Sequence, residues 1–442
     1  MSIPTELDST AQAARQRRST VGAFVGTAIE WYDFYIFGTA AALVFGKVFY
    51  PGIAPGSALI ASFATLWVGF LARPVGGMIF GHFGDKLGRK NTLVITLMIM
   101  GIATTLIGTL PTHAQVGVLA PILLILLRAL QGIAVGGEWG GAVLMATENA
   151  TAKKKGLAGA WVQQGSPAGA ILATVVFMAV GSLPDEQFLE WGWRIPFLLS
   201  SVLVIIGLVI RLKVEESPDF VAAKQEHQVV KAPIVEVFRT APTIVFLGIV
   251  SSVIAISLAY FTNTFLLAWT TGELGIERQT MLRILLATSV IQFIWQPLAA
   301  LLAEKIGPLK VMIGGLALAL LMIVPFFAAI SAANVPLIAI TLCATIFGAS
   351  AYYALLANSL AAAFPANVRY TGVSLAYQLC SSLIGGSTPL IAQWILNSSD
   401  GNPWGVAAFN TVLLFVTIAG VWRLHTVSQR RLQIPVDDPV AV

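Results

Sequence analysis

Long apolar blocks recur along almost all of the 442-residue sequence. Most are about 18 to 25 residues long, the length that carries an α-helix across ~30 Å of hydrocarbon at 1.5 Å per residue. Twelve blocks are present, so the sequence predicts an all-α membrane protein with twelve transmembrane helices. The predicted helices cover residues 21–45, 58–82, 91–111, 117–147, 155–182, 192–213, 241–270, 280–303, 309–331, 334–363, 368–396 and 402–425.

Composition supports a membrane environment. The chain is 57% hydrophobic and 11% charged, with a mean hydropathy of +0.83. These values exclude an ordinary soluble globular protein. The two cysteines, Cys343 and Cys380, fall inside apolar blocks, where a structural disulfide has no evident purpose. We therefore expect both to act as packing residues.

Lysine and arginine are concentrated on one side of the predicted membrane. Of these 26 residues, 20 lie on the same side of the membrane as the amino terminus and four lie on the opposite side. The other two, Arg73 and Arg128, lie within helices. In membrane proteins, the cytoplasmic loops carry an excess of lysine and arginine. Both termini are therefore predicted to be cytoplasmic, in a multi-pass protein of the cell (inner or plasma) membrane. The net charge of +5 then reflects topology, and a nucleic-acid partner has no support.

The chain is predicted to divide into two six-helix halves. Gly84-Asp85-Lys86-Leu87-Gly88 recurs as Ala303-Glu304-Lys305-Ile306-Gly307, 219 residues later, and a weaker echo at 216 residues pairs Gly156, Ala160 and Trp161 with Gly372, Ala376 and Tyr377. Duplicated halves hold their substrate near the midplane, between the repeats. The predicted units are a cytoplasmic arm 1–20, a bundle 21–213, a cytoplasmic linker 214–240, a bundle 241–425 and a cytoplasmic tail 426–442.

Several motifs resemble a known family. The segment 81–90, Gly-His-Phe-Gly-Asp-Lys-Leu-Gly-Arg-Lys, resembles the loop signature of the major facilitator superfamily, and Glu215-Glu216-Ser217-Pro218 resembles its usual end of the sixth helix. Other motifs are similar to those of the metabolite:proton symporter family. These are Glu30-Trp31-Tyr32-Asp33-Phe34, Ala72-Arg73-Pro74-Val75-Gly76-Gly77, Arg128-Ala129-Leu130-Gln131-Gly132, Gly136-Gly137-Glu138-Trp139-Gly140-Gly141 and Trp191-Gly192-Trp193-Arg194-Ile195-Pro196-Phe197.

The resemblance implies a major facilitator fold, two pseudo-symmetric halves, a functional monomer and proton symport without a cofactor. Members of this family import shikimate, α-ketoglutarate and other carboxylates, or proline and betaine. Two departures stand out. Pro308 and Leu309 replace the basic pair in the second-half loop, and the short tail lacks the coiled coil of the osmosensing betaine branch.

Ionisable residues within helices are the first candidates for mechanism, because a charge at the bilayer centre costs about 2.5 to 3.5 kcal/mol without a partner or wet cavity. Glu30 lies roughly 13 Å and Asp33 roughly 18 Å into the first helix, and Arg128 reaches a similar depth in the fourth. One interpretation is a static pair of Asp33 and Arg128. In the other, Asp33 or Glu30 carries the transported proton, while an anionic substrate competes with the carboxylate for the Arg128 guanidinium.

Further polar residues are candidates for substrate contact or for the cytoplasmic gate. Substrate candidates besides Arg128 are Gln163 and Gln164 on the fifth helix, Tyr260 and Asn263 on the seventh, Gln292 and Gln296 on the eighth, Tyr352, Tyr353 and Asn358 on the tenth, and Tyr377 and Gln378 on the eleventh. A gate network is predicted from Arg73, Asp85, Arg89, Glu138 and Glu148. Helix packing, an interfacial aromatic belt or solvated charge are the alternatives. The glycines Gly22, Gly26, Gly76 and Gly77 and those in the segment 136–141 are predicted to permit close helix crossing rather than to bind phosphate.

The sequence therefore predicts a proton-coupled importer of a small organic acid such as shikimate or α-ketoglutarate. An importer of a zwitterion of the proline or betaine type remains open. So does proton-driven efflux, since Gly165-Ser166-Pro167-Ala168-Gly169 partly resembles the Gly-Pro motif of drug antiporters. A membrane-embedded enzyme or a channel is disfavoured by the duplicated halves. No metal, nucleotide or catalytic motif is present in the sequence.

Overall fold

The computed structural model describes residues 6–87, 89–136, 163–212, 233–365 and 368–433, with side chains described from residue 21 onwards except at 81–89, 233–235, 370 and 430–433. Within these ranges every regular element is a helix, and no β-strand occurs. Ten of the described helices are long and apolar enough to span a membrane. The first and fifth helices complete a set of twelve, which confirms the predicted fold class.

Six membrane helices form the first half. They are α1 (Glu6–Ala40, continuing as Ala41–Phe45 and Gly46–Val48), α2 (Pro55–Leu87), α3 (Arg89–Thr109), α4 (Leu119–Gly136), α5 (Gly165–Gly181) and α6 (Arg194–Leu212). Short helices lie at His113–Val116 and Asp185–Gln187, and a π-helical stretch, Phe188–Gly192, leads into α6.

Six helices form the second half. They are α7 (Pro242–Tyr260, Phe261–Leu266 and Leu267–Gly272), α8 (Arg278–Ile306), α9 (Pro308–Leu321 and Ile323–Ser331), α10 (Val335–Ala363), α11 (Arg369–Cys380, Ser381–Gly385 and Thr388–Ser398) and α12 (Pro403–Gln433). Proline at the first or second position starts α7, α9 and α10, because proline lacks the N–H that a helix start leaves unbonded.

The structure differs from the sequence at the unit boundaries. Residues 6–20, predicted as an arm, continue α1, and residues 426–433, predicted as a tail, continue α12. The end of the predicted linker is a helix, Pro233–Thr240, whose Val237 is buried. Hydropathy locates where a chain enters lipid, but a helix does not have to end there. The predicted unit boundaries themselves stay a prediction.

Three membrane helices contain a π-helical stretch: Ala41–Phe45 in α1, Phe261–Leu266 in α7 and Ser381–Gly385 in α11. Those of α1 and α7 begin at positions 41 and 261, close to the 219-residue offset of the sequence repeat. The α1 and α7 stretches contact each other, and the α11 stretch contacts α2. All three therefore lie where the two halves meet, and π-helical turns often mark functional sites.

The motif at residues 191–197 has a structural role. Trp193 is fully buried, with its ring 5.9 Å from Phe45 and 5.8 Å from Phe49. The Arg194 guanidinium donates to the carbonyl oxygens at the end of α3, at 3.0 Å from Gly108 and 2.6 Å from Leu110. Positive charge is favourable at a helix C-terminus. This motif joins α6 to α1 and α3.

Glycines allow α2 and α4 to cross at close range. A Cβ added at Gly132 would collide with the Gly69 carbonyl and lie 2.9 Å from the Ala72 Cβ, and one at Gly136 would collide with the Arg73 carbonyl. Gly76 meets the Ile133 backbone in the same way. The predicted close-crossing role of Gly76 and Gly136 is therefore confirmed, and the crossing brings α2 against Arg128.

Gly132→Ala is expected to destabilise the protein because the added methyl group meets backbone that cannot move aside. Overpacking of this kind costs about 1 to 3 kcal/mol, so the melting temperature of the purified protein should fall. Gly314→Ala in α9 is the matched control, since nothing lies within 4 Å of its Cβ position. Equal melting temperatures for the two variants would contradict the crossing argument.

Candidate functional site

Asp33 is buried between three helices of the first half, with 1% of its surface exposed. Thr104 of α3 donates a hydrogen bond to its Oδ2 at 2.8 Å, and Ser200 of α6 donates to its Oδ1 at 2.6 Å. Two hydroxyl donors stabilise the ionised carboxylate away from water. A hydroxyl also accepts a hydrogen bond, so the same pocket accommodates the protonated acid.

Arg128 lies at the centre of the first half and is fully buried. Its guanidinium carbon is 4.1 Å from the Phe37 ring centre and 4.4 Å from the Phe34 ring centre. Gly69 leaves space for it, because a Cβ there would lie 2.5 Å from Nε. Aromatic faces stabilise a cation without neutralising it, so Arg128 is held in place with its positive charge uncompensated by these rings.

One edge of the Arg128 guanidinium has no hydrogen-bond partner among the residues that the structure describes. Nη1 donates to Gln131 Oε1 at 3.0 Å, whereas Nε and Nη2 make no hydrogen bond. Nε and Nη2 are the adjacent donors of one edge, and such a pair matches the two oxygens of a carboxylate. The arrangement is suited to binding an anionic group.

A chain of hydrogen bonds connects Arg128 to Asp33. Gln131 accepts from Arg128 through Oε1 and donates through Nε2 to Thr104 Oγ1 at 2.6 Å, and Thr104 contacts Asp33. The sequence suggested that Asp33 and Arg128 face each other directly. The structure instead inserts two side chains between them, so the static ion pair considered from the sequence is not what holds these charges.

Glu30 and Asp33 face different neighbours although they are three positions apart on α1. Asp33 is directed at α3 and α6, while Glu30 is within electrostatic range of Tyr260 of α7 and Tyr353 of α10. Positions three apart are offset by about 60° around a helix and about 4.5 Å along it, so the two carboxyl groups share one side of α1 but contact different neighbouring helices. Glu30 therefore belongs to the interface between the halves.

Arg73 lies beside Arg128 rather than at the cytoplasmic end of α2. Its guanidinium carbon is 4.3 Å from the Phe34 ring centre, and Nη1 donates to Ser381 Oγ of α11 at 2.9 Å. Arg73 is 18 positions into the 33-residue helix α2, which explains its central depth. Its predicted role in the cytoplasmic gate stays a prediction. Glu138 and Glu148 lie outside the described residues, and so do the side chains of Asp85 and Arg89.

Two predicted tyrosines lie at the interface between the halves. The Tyr260 ring is 4.9 Å from Phe70 and 6.5 Å from Tyr35, and no described residue forms a hydrogen bond with its buried hydroxyl. The Tyr353 hydroxyl is 3.4 Å from that of Tyr377 and also interacts with Gln163. The structure thus brings these predicted residues together around Glu30 and the two arginines.

The predicted amides separate into two groups. Gln164 is buried with an unpartnered Oε1. Asn263 donates at 2.9 Å to Ala259 O within its own helix, and no described contact brings Gln292 to the site. Gln296, one helical turn after Gln292, is buried with both amide atoms unpartnered. Gln164 and Gln296 are therefore the better candidates for a polar ligand, since buried amides are normally hydrogen-bonded.

Sequence reasoning missed Thr104, Gln131, Ser200 and Ser381 as site residues. Serine and threonine are common in membrane helices, where most bond their own backbone, so their identity carries no information about a site. Gln131 was detectable in principle. It lies three positions after Arg128, on the same helical face, within a motif that was already of interest.

Comparison with known proteins assigns the family. A family model described as "Sugar (and other) transporter" matches residues 19–242, and one described as "Major Facilitator Superfamily" matches residues 249–441. The shikimate transporter of Escherichia coli strain K12 is 39% identical over 91% of this chain and 93% of its own length. The chain belongs to the major facilitator superfamily. Like its relatives, this major facilitator protein is a multi-pass transporter of the cell membrane and not an enzyme.

Other relatives place it within the metabolite:proton symporter family that its motifs resemble. The inner membrane metabolite transport protein YhjE of E. coli K12 is 38% identical over 85% of this chain and 87% of its own length. The proline/betaine transporter of E. coli K12 is 33% identical over 93% of this chain and 84% of its own length. A crystal structure of a D-xylose-proton symporter matches with a TM-score of 0.73 at 17% identity, covering 92% and 96% of the two chains. That likeness confirms the fold.

The two halves of this major facilitator protein are joined near the ends assigned to the outside by the lysine and arginine distribution. At the start of α8, Arg278 donates to the Gly181 carbonyl at 2.7 Å and forms a salt bridge of 3.1 Å with Asp185. Its guanidinium carbon is also 4.1 Å from the Phe188 ring centre. Arg278 thus caps the last turn of α5 across the interface, where its charge is favourable.

A second contact between the halves joins α2 and α11. The Trp67 indole donates to the Ser382 carbonyl at 2.8 Å, and the Ser382 hydroxyl donates to the Phe70 carbonyl at 2.8 Å. The π-helical stretch of α11 makes this pair of hydrogen bonds possible, because it leaves backbone groups outside the regular pattern of α-helical hydrogen bonds. These contacts join α2 to α11 across the interface between the halves.

Glu273 follows α7 at the outer end of the second half. Its Oε1 accepts a long hydrogen bond of 3.5 Å from Gln393 Nε2 of α11. Partial burial raises the pKa of the Glu273 carboxyl above its ordinary range, and the Gln393 amide offsets part of that effect. This carboxyl therefore takes up a proton at a higher pH than a fully solvated glutamate.

Proposed function

We propose that this major facilitator protein imports a small organic acid together with a proton by alternating access. The observation that carries the proposal is the unpartnered Nε and Nη2 edge of the fully buried Arg128. A substrate carboxylate supplies two acceptors for that edge, and charge-assisted pairs of this kind are among the strongest polar contacts. Asp33 is connected to Arg128 through three successive hydrogen bonds, and it is the proposed carrier of the proton.

The charges around the site favour an organic acid over a zwitterion. Arg73 and Arg128 both lie within 4.5 Å of the Phe34 ring centre, and neither forms a salt bridge with a described side chain. A zwitterion bound by its carboxylate to Arg128 brings its cationic group near the second guanidinium. The 39% identical relative is a shikimate transporter, which agrees with an acid. The proline/betaine relatives keep a zwitterion as the alternative to be tested.

Transport of a monocarboxylate is expected to be electroneutral, because one proton on Asp33 and one carboxylate on Arg128 sum to no charge. In proteoliposomes, an inward pH gradient should drive accumulation of labelled shikimate. A potassium diffusion potential imposed with valinomycin at equal pH should not. Accumulation driven by the potential alone would contradict the one-proton, one-carboxylate assignment.

A solute panel tests the proposal itself. Shikimate, α-ketoglutarate, proline and glycine betaine are offered to the same proteoliposomes with the same gradient, with empty liposomes as the control. Accumulation of an acid but not of the zwitterions supports the proposal. Accumulation of proline or betaine alone replaces it with zwitterion import, and gradient-driven loss of preloaded solute replaces it with efflux. Since α-ketoglutarate carries two negative charges, its uptake with one proton moves one net negative charge. The rate of its uptake should therefore respond to the membrane potential.

A further inference from the structure

The Thr104 hydroxyl has more neighbours than it can donate to. Its Oγ1 is 2.8 Å from Asp33 Oδ2, 2.8 Å from the Met100 carbonyl oxygen and 2.6 Å from Gln131 Nε2. A hydroxyl donates one hydrogen bond and accepts two. The Gln131 amide occupies one accepting position, so the single Thr104 proton points either to Asp33 or to Met100.

The two orientations of the Thr104 hydroxyl match the two protonation states of Asp33. With Asp33 ionised, Thr104 donates to the carboxylate, and the donors run in one direction from Arg128 through Gln131 and Thr104 to Asp33. With Asp33 protonated on Oδ2, the new O–H donates to Thr104, whose own proton turns to the Met100 carbonyl. The transported proton comes from water and binds Asp33, and Thr104 keeps its own proton throughout.

We propose that Thr104 and Gln131 are positioning residues that couple the occupancy of Arg128 to the protonation of Asp33. Aligned hydrogen bonds polarise one another in a buried setting. A positive Arg128 strengthens each donor in the chain and favours ionised Asp33, whereas a carboxylate bound to Arg128 cancels that effect. Substrate binding therefore promotes proton binding, and by reciprocity proton binding promotes substrate binding. This inference rests on the proposed roles of Arg128 and Asp33.

The surroundings of Asp33 support this route. Ser200 of α6 donates to the other carboxylate oxygen, and the described part of α5, which packs on α1, contains no titratable residue. Arg194 and Arg211 lie at the two ends of α6, where they bond backbone carbonyls of α3, and Lys90 lies at the inner end of α3. Among the described residues, the charged or titratable groups around Asp33 and Arg128 include Glu30, Tyr32, Tyr35, Arg73 and Tyr260.

The first test measures Asp33 protonation without transport. Infrared titration of the full-length protein in lipid nanodiscs follows the C=O band of buried carboxylic acids, and the band missing in Asp33→Asn belongs to Asp33. Thr104→Val removes a donor to the carboxylate, so the midpoint of this band is expected to rise by about one pH unit. Thr104→Ser retains the hydroxyl and should restore the original midpoint.

Thr105→Val is the matched control on the same helix, because the Thr105 hydroxyl donates to the Gly101 carbonyl of its own helix. A Thr104→Val midpoint equal to that of Thr105→Val overturns the inference. The same holds if Thr104→Ser shifts the midpoint as far as Thr104→Val does, because the hydroxyl is then irrelevant.

The second test measures coupling and does not depend on the folding of Thr104→Val. Saturating shikimate should raise the Asp33 midpoint in the unmodified protein. In Gln131→Met, which keeps side-chain length but breaks the chain, shikimate should still bind but leave the midpoint unchanged. A full shift in Gln131→Met overturns the inference. Shikimate that binds without any shift in the unmodified protein contradicts the proposed roles of Arg128 and Asp33, and no binding contradicts shikimate as the substrate.

Discussion

Arg128→Ala is expected to abolish saturable uptake of the organic acid. The variant removes the two donors that the proposal assigns to the substrate carboxylate, at a position where water does not replace them. Losing one partner of a buried charged pair costs about 3 to 5 kcal/mol, which corresponds to roughly 100-fold or more in apparent affinity. The measurement is concentration-dependent uptake of labelled shikimate into proteoliposomes with an inward proton gradient.

Two further variants define this result. Arg128→Lys keeps the charge but loses the planar pair of donors, so it should recover only part of the affinity. Arg283→Ala is the matched control, since Arg283 is exposed on α8 and no described contact connects it to the site. Wild-type uptake by correctly folded Arg128→Ala would show that the substrate binds elsewhere.

Asp33→Asn is expected to uncouple transport from the proton gradient. An asparagine amide fits the same pocket, because its oxygen accepts from Ser200 and its nitrogen donates to Thr104, which turns to the Met100 carbonyl. The variant therefore mimics the protonated acid permanently. Accumulation against a concentration gradient should be lost, while exchange of labelled for unlabelled shikimate across the membrane should continue.

The exchange measurement separates a lost proton site from a damaged protein. Asp400→Asn is the matched control, because Asp400 is exposed between α11 and α12 and no described contact connects its side chain to the site, and it should accumulate shikimate normally. If Asp33→Asn retains proton-driven accumulation, Asp33 is not the proton carrier. Glu30, at the interface between the halves, then becomes the next carboxylate to replace.

Most of the fold was predictable because lipid imposes a strong and local requirement. A helix has to present about 20 apolar residues to cross the bilayer, and each of the twelve helices shows this in its own sequence. Gly76 and Gly136 were also readable, since small residues are needed wherever two helices touch. The helical continuation of residues 6–20 into α1 was missed because hydropathy detects only apolar segments. It does not indicate whether a polar segment outside the lipid is helical.

The sequence indicated only some of the residues that lie at the site. Arg128, Asp33 and Tyr260 stood out because charged and polar groups are rare inside membrane helices, and the structure places them within one region. Their roles in transport stay predictions until the variants are measured. Asn263 bonds its own backbone, whereas Gln164 and Gln296 keep buried amide atoms without a partner among the described residues.

The sequence by itself determined the number of helices, their direction through the membrane and the presence of buried charges, since each of these depends on local composition. The tertiary structure alone decided which groups those charges meet. It placed Arg73 beside Arg128, directed Glu30 and Asp33 to different neighbours, and inserted Gln131 and Thr104 between the guanidinium and the carboxylate. Side-chain partners depend on how α1, α2, α3 and α4 cross and rotate, and residue identity in a single helix does not specify that geometry.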